Sequence, residues 1–530
     1  MNRTGPLPQL ESLAAHSDVY KDSQRMAILD LGSNSFRMIV VEYVPGLSFK
    51  VVDEIAESVR LSEGMGESNI LRAAAMDRAV QAVQIFAAFC RASRIKDIVA
   101  VGTSAIRDAR NQSALLTRLK ATTGIDVRVL SGEEEAHYGY LGAINSSTLV
   151  NGFVLDMGGG SLQITRVEDR RAREAISFPL GAVRVTERFL TSDPVRHAEL
   201  EALREYLSRQ FGTVRWFHYK PDTELVFVGG GVRMLGRLAQ KMEGYPLDMM
   251  QGYVLSSNAL KAIRKTIAEK SIADRRRIPG MKPERADISL GSAVVVYEAL
   301  RASGFEQLTI SAQGVRGGLF YEHFLQGDSE PLFEDVRKAS VLNLAHIYRF
   351  QEQHALHIAH LTLSMLDQLP EGSHLCRSVE REILWAASML HDIGVAIDYN
   401  DHHKHGAYLI LNDGLPGFTH REIALIALLT RYHRKGEPVL GEFERVMEPG
   451  DARRLLQLCA LLRLAEQLDR SRDGVVRDVR LTVDVGNQWA QMELLARGDG
   501  QVALWSVLRH RDIFQQAFGL QLEVTLTPGG

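Results

Sequence analysis

Residues Phe153 to Ile164 read FVLDMGGGSLQI. Phe153, Val154 and Leu155 suit a buried strand, Asp156 sets a carboxylate at its end, and Gly158, Gly159 and Gly160 let a backbone approach a bound anion without a Cβ in the way. Such a turn can hold a phosphate and its metal. A glycine triplet alone is also an ordinary hairpin turn. A second copy changes its weight: Met26 to Val41 reads MAILDLGSNSFRMIVV, again an apolar strand, an acid (Asp30), a small-residue turn (Gly32, Ser33, Asn34, Ser35) and another apolar strand. Two strand–Asp–turn–strand hairpins predict two similar lobes facing one phosphate.

Composition bounds the rest. A chain of 530 residues is too long for one core and predicts three or four domains. Lys and Arg total 62 against 65 Asp and Glu, a net charge of −3, so global charge points neither to nucleic acid nor to membrane, and any polyanion site must be a local patch. Three scattered cysteines, Cys90, Cys376 and Cys459, predict core thiols in a reducing compartment. No apolar run is long enough to span a bilayer, and residues 1–24 are polar, without the basic start and apolar stretch of a signal peptide. The expectation is a disordered tail on a cytoplasmic protein.

Between the hairpins, Asp97 to Val101 reads as a short buried strand leading into GTSAIRDARN, Gly102 to Asn111. Arg107 there has the planar fork that clamps phosphate, or is a solvated arginine at a helix start. Ser131 can cap a helix carrying Glu133, Glu134 and Glu135 in its first turn; these acids complement the helix dipole or supply a general base. A second glycine triplet, Gly229 to Gly231, follows the strand Leu225 to Val228; it is a crossover turn or closes the cleft from the far side. Alternating strands and helices make both lobes α/β. From Pro331 the pattern becomes helical and holds most of the 17 histidines. Helices are expected over Ser340–Leu369, Ser378–Val395, His403–Leu411, Arg421–Tyr432 and Ala452–Arg470. Past Gly474 alternation in VRLTVDV, AQMELLA, QVALWSV and LQLEVTLT predicts a small β-rich unit.

With these motifs in hand, the chain resembles the exopolyphosphatase/guanosine pentaphosphate phosphohydrolase family of the actin-like ATPase superfamily. The resemblance rests on DLGSNSFRM, VGTSAIRDARN, SGEEEA, DMGGGS, MLHDIG, HGAYLILNDGLPGF and RYHRK, and it is to the long, four-domain form. It implies an α/β two-lobed actin-like (ribonuclease H-like) N-terminal half, an all-α HD-like domain and a small α+β C-terminal subdomain. The boundaries expected are 25–145 and 146–327 for the lobes, 328–474 for the helical domain and 475–530 for the last.

The implied activity is Mg²⁺-dependent release of terminal orthophosphate from inorganic polyphosphate. Alternatives are hydrolysis of the 5′ γ-phosphate of guanosine pentaphosphate (pppGpp) and, from another class, a non-catalytic sensor of polyphosphate or alarmone. The resemblance makes Glu135, ahead of Glu134, the catalytic base, Asp30 and Asp156 the metal ligands, and Gly32, Ser33, Asn34, Ser35, Arg107, Gly158, Gly159, Gly160 and Ser161 the phosphate binders. It departs at Gln163, where the family's GGGSxE has a carboxylate; an amide brings no negative charge to a metal. In the helical domain His354, His391, Asp392 and Asp469 match HD metal positions, or the domain is a scaffold whose His402, His403, Lys404, His405 and the run Arg431 to Lys435, with His433 and Arg434, contact a long polyphosphate chain. A homodimer is implied; nucleic acid and membrane are not.

Overall fold

A computed structural model describes residues 22–327, 330–370, 375 and 377–528. Most of the expected tail, residues 1–21, and Cys376 lie outside these; Gln24 is already in the first strand. The first sheet is built from β1 (Gln24–Leu31), β2 (Phe36–Val44), β3 (Ser48–Glu57), β4 (Asp97–Gly102) and β5 (Arg128–Val129), in the order β3-β2-β1-β4-β5. The second comprises β6 (Gly152–Met157), β7 (Leu162–Glu168), β8 (Arg171–Phe178), β9 (Glu224–Val228), β10 (Val254–Ser256) and β11 (Gln307–Ser311), in the order β10-β11-β9-β6-β7-β8. Each has an antiparallel three-strand meander whose first strand also pairs in parallel with a later one, β1 with β4 and β6 with β9. The two hairpins of the sequence are therefore the same piece of architecture, used twice.

The centres of β1 and β6 read as near-continuous apolar runs because both their faces are covered. Leu29 and Leu31 pack outward into the first lobe's core and Leu155 and Met157 into the second's, while Ile28 and Val154 share a core between the sheets with Leu141, Ile144 and Phe320. That middle core holds the helix Gly132–Ile144 and the helix Val315–Phe324. The latter returns to the first lobe, where Phe320 and Phe324 lie 5.0 and 5.1 Å from the Phe49 ring.

The helical region contains Val336–Ile347, Glu352–Asp367, Arg377–Leu390, His402–Asp413, His420–Tyr432 and Asp451–Leu468. The single helix expected over Ser340–Leu369 is two, since Arg349 turns left-handed (φ 50°) between them. After it come β12 (Val476–Asp484), β13 (Trp489–Ala496) and β14 (Gln521–Pro528). QVALWSV is a helix, Gln501–Leu508, not a strand: its buried residues Ala503, Ser506 and Val507 fall three and four apart, with Val502 and Trp505 outside. One apolar core runs from these last elements through Leu458 and Leu461 to Leu384 and Ile358, so the C-terminal strands and the helices share an interior.

Candidate active site

Asp30 and Asp156 occupy the same place in the two sheets. Asp30 pairs across to Arg37 on β2 and alongside Val101 on β4; Asp156 pairs across to Gln163 on β7 and alongside Val228 on β9. Both line one cleft of ≈ 350 Å³ between the lobes, together with Gly32, Ser33, Asn34 and Ser35 from the first turn and Gly158 and Gly159 from the second. Gly229 to Gly231 line it too, at the N-terminus of the helix Gly230–Glu243, so the second triplet does close the far side. Gly229 has φ 118°, and a Cβ there would collide with the Met157 carbonyl, which keeps the helix N-terminus against the second turn.

Glu135 reaches the same cleft. Ser131 and Glu134 form a reciprocal capping box that starts its helix, Ser131 Oγ accepting from Glu134 N at 3.0 Å and Glu134 Oε2 from Ser131 N at 2.8 Å. Glu134 is thereby occupied and Glu135, next along, is turned inward and buried. Gly139 and Gly142, four and seven residues on, share its face of the helix. Asp156 Oδ2 lies 2.8 Å from where a Gly139 Cβ would stand, and a Cβ on Gly142 would strike the Gly314 carbonyl.

The three carboxyls crowd one another. Burial, then Glu135 and Asp30, push Asp156 up to about 7, against a smaller pull from Arg233. Burial raises Asp30, offset in part by Arg316 and Arg37. Burial raises Glu135 as well, while Arg107 and Ser161 pull it down. Arg107 Nη1 donates to Glu135 Oε2 at 2.8 Å and to the Leu130 carbonyl at 3.0 Å; Ser161 Oγ donates to Oε1 at 3.0 Å. Arg107 and Ser161 thus stand behind the glutamate instead of lining the cleft, and Gly160 packs on Ser33 and Ser104, whose hydroxyls are 3.0 Å apart. Gln163 is also outside the lining: it is buried, Nε2 donating to Ser177 Oγ at 3.0 Å and Oε1 unpartnered.

Four arginines that the sequence reading passed over complete the cleft: Arg37, Arg233, Arg285 and Arg316. Glu54 is the acid that meets two of them, at 3.2 Å from Arg37 and 3.1 Å from Arg316. Burial and then the neighbouring Arg37, Arg316 and Arg285 push Arg233 down to about 10, and burial and Arg37 do the same to Arg285. Guanidinia packed this tightly make a strong anion site. Three of them had a signal, an arginine two or three residues after a turn glycine or serine in GSNSFR, GGGVR and QGVRG; Arg285 had none.

The helical domain gathers His354, His391 and Asp392 as expected, with Asp469 behind His354 (Nδ1 to Oδ2 2.7 Å). The expected polyphosphate surface needs correcting at His402, His403 and His433, which are buried, His433 Nε2 lying 3.2 Å from that of His402; these rings turn inward where two helices meet, while Lys404, Arg431 and Lys435 stay exposed. Arg434 lies over the Tyr399 ring and Lys435 within 3.7 Å of Asp401. His405 is half-buried.

The sequence signature of the Ppx/GppA phosphatase family matches residues 39–326, more than half of the chain, and that of Ppx/GppA phosphatase domain III matches residues 336–498. The chain belongs to the Ppx/GppA phosphatase family. This Ppx/GppA phosphatase is 28% identical over 506 residues to the guanosine-5′-triphosphate,3′-diphosphate pyrophosphatase of Vibrio vulnificus, covering 91% of this chain and 94% of that one. Its actin-like half is similar to the crystal structure of the Aquifex aeolicus family member (27% identity, TM-score 0.50, 58% of this chain and 100% of that one). An exopolyphosphatase from Cytophaga hutchinsonii shares the fold (24% identity, TM-score 0.52, 57% and 98%). Among the described residues no helix is long and apolar enough to cross a membrane.

Proposed function

We propose that this Ppx/GppA phosphatase is an exopolyphosphatase, cleaving the terminal phosphoanhydride bond of linear polyphosphate with Mg²⁺ and releasing orthophosphate. The observation that carries this reading is the meeting of Asp30, Asp156 and Glu135 with four arginines in one cleft. The carboxyl cluster fits a divalent ion, because a cation would relieve the mutual repulsion that raises Asp156. Asp30 and Asp156 would hold it, and its charge would stabilise the phosphoryl oxygens as the bond breaks. Backbone N–H groups of the turns Gly32–Ser35 and Gly158–Gly159 and of the helix start at Gly230 orient the terminal phosphates. Arg37, Arg233, Arg285 and Arg316 neutralise the phosphates further along. Glu135 takes a proton from water as the water oxygen bonds to the terminal phosphorus; the bridging P–O bond breaks and the shortened chain leaves with that electron pair.

The second reading, hydrolysis of pppGpp, is favoured by the name of the Vibrio vulnificus relative, which is similar over nearly all of both chains. The sensor reading drew on Gln163, and that side chain lies outside the cleft lining. The helical domain is read as HD-like, with His354, His391, Asp392 and Asp469 at its metal site, and the protein as a cytoplasmic homodimer. Initial rates of phosphate release from polyphosphate and from pppGpp at equal concentration test the assignment. Faster release from polyphosphate supports it; a nucleotide preference overturns it in favour of the second reading, and binding without turnover of either leaves the sensor.

A further inference from the structure

The helical domain gathers six side chains that can bind metal, His354, His391, Asp392, His402, His433 and Glu466, more than a single ion needs. His391 Nδ1 lies 2.7 Å from the Ser388 carbonyl, His402 Nδ1 2.9 Å from that of Tyr399, and His433 Nδ1 2.7 Å from that of Thr430. A carbonyl only accepts, so each Nδ1 carries a proton and donates, which leaves Nε2 as the nitrogen that can offer a lone pair to a metal. His354 Nδ1 faces Asp469 Oδ2 at 2.7 Å in the same way, and Asp469 Oδ1 is taken up by Gly474 N at 3.0 Å. Asp469 is thus a positioning residue for His354, the support that metal-binding histidines usually have.

The lone pairs point at one another. Nε2 of His354 and of His391 are 3.3 Å apart, and Nε2 of His402 and of His433 are 3.2 Å apart. Two lone pairs cannot bond to each other, whereas ligands about 2.1 Å from a common ion stand about 3.0–3.5 Å apart. Glu466 Oε2 is buried, 3.3 Å from both His354 Nε2 and His391 Nε2, yet makes no hydrogen bond of acceptable geometry. Asp392 stands between the pairs: Oδ2 faces His391 Nε2 at 3.8 Å, and Oδ1 faces His402 Nε2 at 3.2 Å and His433 Nε2 at 3.8 Å. Arg472 also reaches Oδ2, at 2.6 Å.

We propose that this cluster binds two divalent transition-metal ions bridged by Asp392, one held with His354, His391 and Glu466, the other with His402 and His433. Mixed imidazole and carboxylate donors suit manganese, iron, cobalt or zinc more than magnesium. A bridging carboxylate between two such ions is the arrangement of two-metal hydrolytic centres. The proposal rests on the metal reading of the helical domain and is independent of the reading of the cleft.

The full chain, stripped with chelator, titrated with Co²⁺ and desalted, tests this by cobalt per chain, beside the exchangeable imidazole N–H resonances shifted by the bound ion. Wild type should show such resonances from four histidines. His402→Gln with His433→Gln should lose one equivalent relative to wild type, and Asp392→Asn should lose more than that. Reading differences from wild type cancels any cobalt held in the cleft, and an unchanged circular dichroism spectrum with a cooperative melting transition shows that the variants fold. Loss of cobalt in Asp392→Asn but not in the double variant overturns the second ion and leaves a mononuclear site. No shifted imidazole resonance in wild type overturns both ions, and means that protons shared between ring nitrogens hold the cluster together. Either failure leaves the assignment of the cleft standing, since that is read by phosphate release alone.

Discussion

Arg107 holds Glu135 from behind, Nη1 to Oε2 at 2.8 Å, while the cleft lies on the other side of the carboxylate. Arginine and glutamate here form one unit, a carboxyl that burial raises and its partner pulls back down. Removing the base should stop the chemistry and spare the binding: Glu135→Gln is expected to lower kcat by about 10²–10⁴-fold with little change in substrate affinity. Single-turnover phosphate release beside equilibrium binding of the substrate checks this. Undiminished turnover removes Glu135 from the mechanism.

The partner's contribution has a sign. Arg107 pulls the Glu135 carboxyl down against the upward push of burial. Arg107→Met therefore leaves the base protonated to higher pH. The acid limb of the kcat/KM profile should move upward, with a smaller loss of activity at alkaline pH than at acid pH. A uniform loss across the profile would mean that Arg107 acts on phosphate directly.

Asp156, pushed up to about 7, ties stability to pH in metal-free protein. Its folded value lies above its unfolded one, so the folded state binds the extra proton between them. The resulting stability is fully present below about 4 and is lost as pH rises through about 7. The melting temperature of chelated protein should fall from about pH 4 to about pH 7 and level off above that, and Asp156→Asn should flatten the fall. Subtracting the two curves removes the contribution of every group common to both proteins.

The arginine cluster should govern affinity for chain phosphates more than the rate of bond breaking. Arg233→Met or Arg285→Met is expected to raise KM for polyphosphate by about 10–100-fold, the value of one charge-assisted hydrogen bond, and to weaken its dependence on salt. An unchanged KM in both variants would place the chain elsewhere.

Gln163→Glu restores the carboxylate expected of the family, but at a buried site opposite Asp156. A fourth carboxylate, beside Asp156 and away from the cleft, should lower the melting temperature without strengthening Mg²⁺ binding. Tighter metal binding by this variant would show that the side chain reaches the ion.

Local pattern carried the fold's repeated unit, because a covered strand, an acid and a turn of small residues are contiguous in both DLGSNS and DMGGGS. It carried the capped helix start with its three acids as well, and the family resemblance alone chose Glu135 among them. It did not show what depends on distant neighbours. Arg107 points at Glu135 because Leu130 and the helix start converge there. His433 turns inward because His402, from another helix, meets it. Arg285 has no local signal, since only the folded chain brings it beside Arg37.

Glu135, Gly139 and Gly142 lie at one, five and eight along a single face of one helix, touching Arg107 and Ser161, Asp156, and the Gly314 turn in order. The helix therefore works as a ruler. One turn of it fixes the spacing from the base to Asp156, and the next fixes the spacing to the loop that carries Arg316. A lobe movement that shifts this rod along its length moves all three marks together, so in the proposed mechanism substrate seating and water activation are mechanically linked. An alanine at Gly139 would be a misprint on that scale, felt at both ends.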